Sequence, residues 1–82
     1  MMHPETMTPA AYTILTGLAS TRRARGFTQL ELARLLGVSK TTVHRYETGW
    51  RIPTIPDLFH MADILGVACT DLIPELARRR AA

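Results

Sequence analysis

Residues 28–47 read TQLELARLLGVSKTTVHRYE. The stretch opens on Thr28, with Glu31 three residues later. That is the spacing of a capping box, in which the hydroxyl accepts an orphan backbone N–H and the carboxylate reaches back. Leu32, Ala33, Leu35 and Leu36 follow at helical spacing. Ala33 is small where two helix axes would approach closely. Gly37 ends the helix, because a left-handed terminal residue costs glycine almost nothing. Val38 can plug the corner and Ser39 is the next N-cap. A second helix then runs from Lys40 to about Thr48 and stops at Gly49. The segment predicts two short helices joined by a tight turn.

The second of these helices has two unlike faces. Val43 and Tyr46 sit three apart and point inward with Val38. Lys40 and His44 are four apart, as are Thr41 and Arg45, so these four share the other face. All four can hydrogen-bond, two are cations and none is acidic. Such a face, presented by a tight turn, suits the major groove of DNA.

The segment resembles the helix-turn-helix of the lambdoid phage repressor and Cro family, also called the xenobiotic-response-element family. The matching residues are Arg22, GFTQ at 26–29, ELA at 31–33, LLGVS at 35–39 and YETG at 46–49. Pro53, LGV at 65–67 and Leu72 complete the pattern, which spans residues 14–73. The resemblance implies an all-α fold, a compact five-helix bundle, with its helix-turn-helix core at 28–48. It implies base contacts at Lys40, Thr41, His44 and Arg45, with Ser39 and Thr42 at the margin. It gives Gln29, beside Thr28 at a helix N-terminus, a phosphate contact, a role that fits the attraction of such termini for anions. Trp50 and Arg51 lie in the loop where the family also meets the DNA backbone. The matching Arg and Glu pair with each other in the family, so Arg22 and Glu47 are assigned a structural ion pair.

Length and composition set bounds on either side of this reading. Eighty-two residues make one domain with one small core. The formal charge is +3, and Arg78, Arg79 and Arg80 account for the whole excess. The basic total is therefore a weaker argument for nucleic acid than the helix face. Cys69 is the only cysteine, so no intramolecular disulfide forms, and no Cys/His cluster has zinc spacing. No metal or cofactor is expected. No apolar run approaches a membrane span, and the N-terminus lacks the regions of a signal peptide. A cytoplasmic protein of a bacterium or phage, associated with the nucleoid, is expected. No nucleophile–base pair or phosphate-cradling glycine loop appears, which argues against an enzyme.

Along the chain, residues 1–7 are expected as a flexible arm, 8–77 as the DNA-binding domain and 78–82 as a basic tail. Thr8-Pro9 reads as a helix start, giving a first helix over residues 9–25 with Ile14, Leu15, Leu18 and Thr21 as its buried stripe. Gly17 in mid-helix costs about 1 kcal/mol relative to Ala, which suggests loose packing or a close approach to something else. Thr54 caps a fourth helix, with Asp57 as capping partner and Ile55, Leu58, Phe59, Ala62 and Leu65 as its apolar stripe. Gly66 ends it, and Thr70 caps a fifth helix containing Leu72, Ile73 and Leu76.

The function implied is sequence-specific binding of double-stranded DNA by a transcriptional regulator, a repressor, acting as a homodimer on an inverted repeat. Ile55, Val67, Leu72 and Leu76 are candidates for the dimer contact, each also explained as core. The alternative is an antitoxin that binds a toxin protein through the N-terminal arm and Arg-rich tail and represses its own operon.

Overall fold

The computed structural model describes residues 15–74, which hold five helices and no strand. They are α1 (Leu18–Ala24), α2 (Gln29–Leu36), α3 (Lys40–Thr48), α4 (Ile55–Leu65) and α5 (Cys69–Leu72). The arm 1–7, the start at Thr8-Pro9, Ile14, Leu76 and the Arg78–Arg80 tail lie outside the described residues.

Local chemistry sets the boundaries of α2 and α3. Glu31 N–H donates to Thr28 Oγ1 at 3.0 Å, and Thr28 N–H donates to Glu31 Oε1 at 2.8 Å. Gly37 adopts φ 82° and ψ 27°, and its N–H and that of Val38 both donate to Ala33 O. A side chain in that left-handed conformation would be strained, so glycine makes the corner. Ser39 Oγ then accepts Thr42 N–H at 3.1 Å. Each such cap is worth about 1 kcal/mol. Helix α3 ends at Gly49 and α4 at Gly66.

The core gathers one face from every helix: Leu15 and Leu18, Leu32, Ala33 and Leu36, Val43 and Tyr46, Met61, Ala62 and Leu65, and Leu72. Ala33, 1 % exposed, lets α2 and α3 approach closely. Phe27, Val38, Leu58 and Val67 pack around this centre. Three apolar residues expected inside stand outside instead. Leu35 is exposed because the buried face of α2 is set by Leu32, Ala33 and Leu36. On α4 the inward stripe is Leu58, Met61, Ala62 and Leu65, a clean i, i+3, i+4, i+7 series. Ile55 and Phe59 fall to one side of it and are exposed, whereas Met61, absent from the expected stripe, is fully buried.

The first helix also differs from the expectation of one continuous helix over 9–25. Residues 15–17 form a turn, and α1 begins at Leu18 with Gly17 as N-cap. The reason is a contact with α5. Gly17 N–H donates to Leu72 O at 3.1 Å, and a Cβ on Gly17 would lie 2.2 Å from Asp71 O. The glycine marks a close approach of two backbones, 54 residues apart in sequence.

At α5 the cap is Ala68 rather than Thr70. Asp71 Oδ2 accepts Ala68 N–H at 3.0 Å, so the helix opens one residue before Thr70. It closes at Ile73, φ −128° and ψ 75°, where the following proline disfavours helical backbone. Leu72 is fully buried, which removes it from the candidate dimer contacts. Cys69 is a half-buried free thiol.

Candidate nucleic-acid interface

Helix α3 turns Val43 and Tyr46 into the core and leaves Lys40, Thr41, His44 and Arg45 exposed. None of these four side chains makes a hydrogen bond or ion pair with another described residue. They form a free face of cations and hydrogen-bonding groups. Ser39 and Thr42 are held differently. Their hydroxyls lie 2.9 Å apart, and Ser39 also caps the helix, so both serve the start of α3.

The loop after α3 is tied to this face. Trp50 N–H and Arg51 N–H both donate to Arg45 O, at 2.9 and 3.2 Å. The bonds bring the exposed Trp50 and Arg51 beside α3, where an open cleft of about 540 Å³ is lined by Thr41, His44, Arg45, Trp50 and Arg51. Five of the expected contact residues thus share one concavity that contains two guanidinium groups, an imidazole and an indole. Among the described residues no carboxylate lines it.

Glu47, the acid nearest this face in sequence, is drawn inward. Arg22 Nε donates to its Oε2 at 2.6 Å and Nη2 to its Oε1 at 3.3 Å. The two side chains are 8 % and 5 % exposed. Arg22 Nη1 also donates to Phe27 O at 2.7 Å, so the guanidinium joins α1, the turn before α2, and the end of α3. A buried charge needs such pairing, because leaving it alone is costly. The pair also keeps a negative charge out of the cleft.

Gln29 belongs to the same network. Its Nε2 donates to Glu47 Oε1 at 2.8 Å. One N–H of the amide is therefore committed to bracing α3, and only the second remains to meet a phosphate. The family pattern assigned Gln29 outward and missed this inward bond. The only signal in the sequence was an amide donor at the start of one helix and a carboxylate at the end of the next. Thr28 is exposed and its oxygen serves as the α2 cap. The first N–H groups of α2 have no carbonyl to bond within the helix, and that of Glu31 is taken by the Thr28 hydroxyl.

Two groups near the interface have shifted protonation. Glu31 is held below the ordinary carboxylate value of 4.5, first by the backbone N–H of Thr28 and then by its hydroxyl. Burial raises Tyr46, and neighbouring Asp57 adds to this; Tyr46 OH meets Asp57 Oδ2 at 3.5 Å. Tyr46 is thus a neutral core residue with a polar tip. Among the described residues no cluster of His, Cys, Asp and Glu could hold a metal. No described helix is long and apolar enough to cross a membrane.

Comparison with known proteins matches this geometry. The chain is 36 % identical over 55 residues to the cryptic phage CTXphi transcriptional repressor RstR of Vibrio cholerae, covering 67 % of this chain and 49 % of that one. It is 32 % identical over 59 residues to the HTH-type transcriptional regulator AnsR of Bacillus subtilis, covering 72 % and 51 %. The chain spans about half the length of these curated relatives. Its structure superposes on the restriction-modification controller protein C.AhdI of Aeromonas hydrophila with a TM-score of 0.69 and 25 % identity, over 78 % of this chain and 97 % of that one. The profile of the helix-turn-helix family HTH_3 matches residues 18–72, from the first residue of α1 to the last of α5, and the chain belongs to that family, of the Cro/C1 type.

Proposed function

We propose that this chain binds double-stranded DNA in a sequence-specific manner, with α3 in the major groove, and regulates transcription as a repressor. The observation that carries the reading is the exposed face Lys40, Thr41, His44 and Arg45, free of internal bonds and bordered by the Trp50–Arg51 cleft. Arg45 and Lys40 can donate to guanine O6 and N7. Thr41 can meet a base edge or a thymine methyl, and His44 can donate or accept. Arg51 and the N-terminus of α2, with Thr28 and Gln29, flank this face as phosphate contacts that fix its register. The curated relatives, named as a repressor and a regulator of transcription, support the same reading.

One module of this size covers only a few base pairs. The chain acts as a homodimer on an inverted repeat, whose half-sites lie about 34–36 Å apart for a two-fold pair of such helices. Selection of bound duplexes from a random DNA pool at about 150 mM salt tests this, since specific binding must survive the screening that removes non-specific attraction. An enriched inverted repeat with one-turn spacing is expected. Weak binding without enrichment, fading as salt rises, would overturn sequence-specific reading.

A further inference from the structure

Of the large apolar side chains exposed among the described residues, Trp50 alone lines the cleft beside α3. It is 62 % exposed, so it does not serve as a cover for the core. Its indole N–H meets no acceptor among the described residues. Its backbone, by contrast, is fixed. Gly49 turns the chain at φ 85°, and Trp50 N–H donates to Arg45 O at 2.9 Å. The ring is therefore held at the cleft before any partner arrives, which lowers the ordering cost of a contact there.

The surroundings of the ring say what it meets. Thr41, His44, Arg45 and Arg51 line the cleft with it, so the partner is anionic. An indole offers a single N–H donor and a broad apolar face, so the partner must also present apolar surface beside its charge. A DNA strand does this, because each deoxyribose lies between two phosphates. Thymine methyls are the other apolar groups of a duplex, but they sit on base edges in the major groove. A reading helix meets base edges with its N-terminal residues, whereas Trp50 follows the C-terminal end of α3, past Gly49. We infer that Trp50 lays its indole face against a deoxyribose whose neighbouring phosphate is held by Arg51. The inference rests on the DNA-binding function proposed above and makes Trp50 an apolar contact instead of a phosphate donor. Two residues adjacent in the chain then act by different physics. The Arg51 contribution comes with counterion release and fades as salt rises. The Trp50 contribution comes from apolar area removed from water, and salt does not screen it.

The test uses the full chain, a duplex taken from the selection and a scrambled duplex. Trp50 is the only tryptophan, so its fluorescence reports on this contact directly. Acrylamide, a neutral quencher, should reach the indole freely in the protein alone and much less in the complex with either duplex. Binding isotherms at several salt concentrations then compare the wild type, Trp50→Phe and Trp50→Ala. The side chain lies outside the core, so all three should share one melting temperature. Trp50→Ala is expected to weaken binding to both duplexes about tenfold, the loss of one covered ring face, with the salt slope unchanged. Trp50→Phe keeps an aromatic face without the N–H and should stay within about threefold of the wild type. An indole as quenchable in the complex as outside it would overturn the proposal. Equal losses in Trp50→Phe and Trp50→Ala would also overturn it, by assigning the indole N–H to a phosphate. So would a loss confined to the selected duplex and matched by replacing its thymines with uracil, which would assign the ring to a thymine methyl. A wild type that enriches no sequence and still shields Trp50 on a random duplex would uphold the contact and remove sequence-specific reading instead. A wild type that binds no duplex would remove both.

Discussion

Arg22 and Glu47, 25 residues apart in sequence, meet with Nε and Oε2 2.6 Å apart in a site that water barely reaches. Removing one partner strands the other charge. Glu47→Ala and Arg22→Ala should each cost about 3–5 kcal/mol of folding stability, the range for breaking a buried pair. Replacing both with apolar residues of similar volume should cost much less. Urea denaturation of the two single variants and the double variant reads this directly. Equal losses in all three would mean that packing, and not the charge pair, holds the site.

Gly17 tests the contact between α1 and α5. Its added Cβ would sit 2.2 Å from Asp71 O, so Gly17→Ala must push the two segments apart and lengthen the bond to Leu72 O. Overpacking of this kind typically costs about 1–3 kcal/mol. In an ordinary helix interior the same change would stabilise, by about 1 kcal/mol. The sign of the change in melting temperature therefore decides between the close approach and a free helical glycine.

The reading face and the cleft should respond differently to truncation. Arg45→Ala is expected to weaken specific binding by about 1–3 kcal/mol and to relax preference at one base position. Arg51→Ala should weaken specific and non-specific binding alike and lower the salt slope by about 1. Binding isotherms at several salt concentrations, on a selected and a scrambled duplex, separate the two. An Arg45→Ala protein with unchanged affinity and preference would show that α3 does not read the bases.

Acid should loosen the N-terminus of α2. The Glu31 carboxyl is held below 4.5 in the folded chain by its bonds to Thr28. A lowered folded value means that the stabilisation is complete above the unfolded value and is lost as pH falls through the folded one. Glu31→Gln keeps a side chain able to complete the capping box but cannot titrate. Melting temperatures of the wild type and this variant should run parallel above the ordinary carboxylate value of 4.5 and converge or cross as pH falls below it. Curves parallel down to pH 3 would contradict the bond to Thr28.

The parts of this fold legible in the sequence are those decided within three or four residues. Thr28 with Glu31, Ser39 with Thr42, and Thr54 with Asp57 each cap a helix across such a span. They place α2, α3 and α4 before any tertiary contact is known. What escaped the sequence depends on distant partners. Phe59 and Met61 are both apolar and two residues apart, and only the neighbouring helices decide that Met61 goes inside. Thr70 is a good cap by type, but the Asp71 carboxylate already bonds Ala68 N–H. The inward bond of Gln29 depends on a carboxylate 18 residues away. For the candidate site, the outward face of α3 followed from helical period alone, whereas the cleft required the loop bonds to Arg45 O.

The four outward side chains of α3 hold nothing together. The side chains of Lys40, Thr41, His44 and Arg45 share no hydrogen bond with the rest of the described chain, and surface positions of this kind usually tolerate replacement within about half a kcal/mol. In the function proposed, stability and target choice are therefore encoded by separate residues. A lineage carrying this scaffold can drift to a new DNA target by changing these positions, one at a time, without passing through an unfolded ancestor. The same independence makes α3 an exchangeable cassette, into which a different set of base-reading side chains can be written while Ser39, Val43, Tyr46 and Glu47 stay as they are.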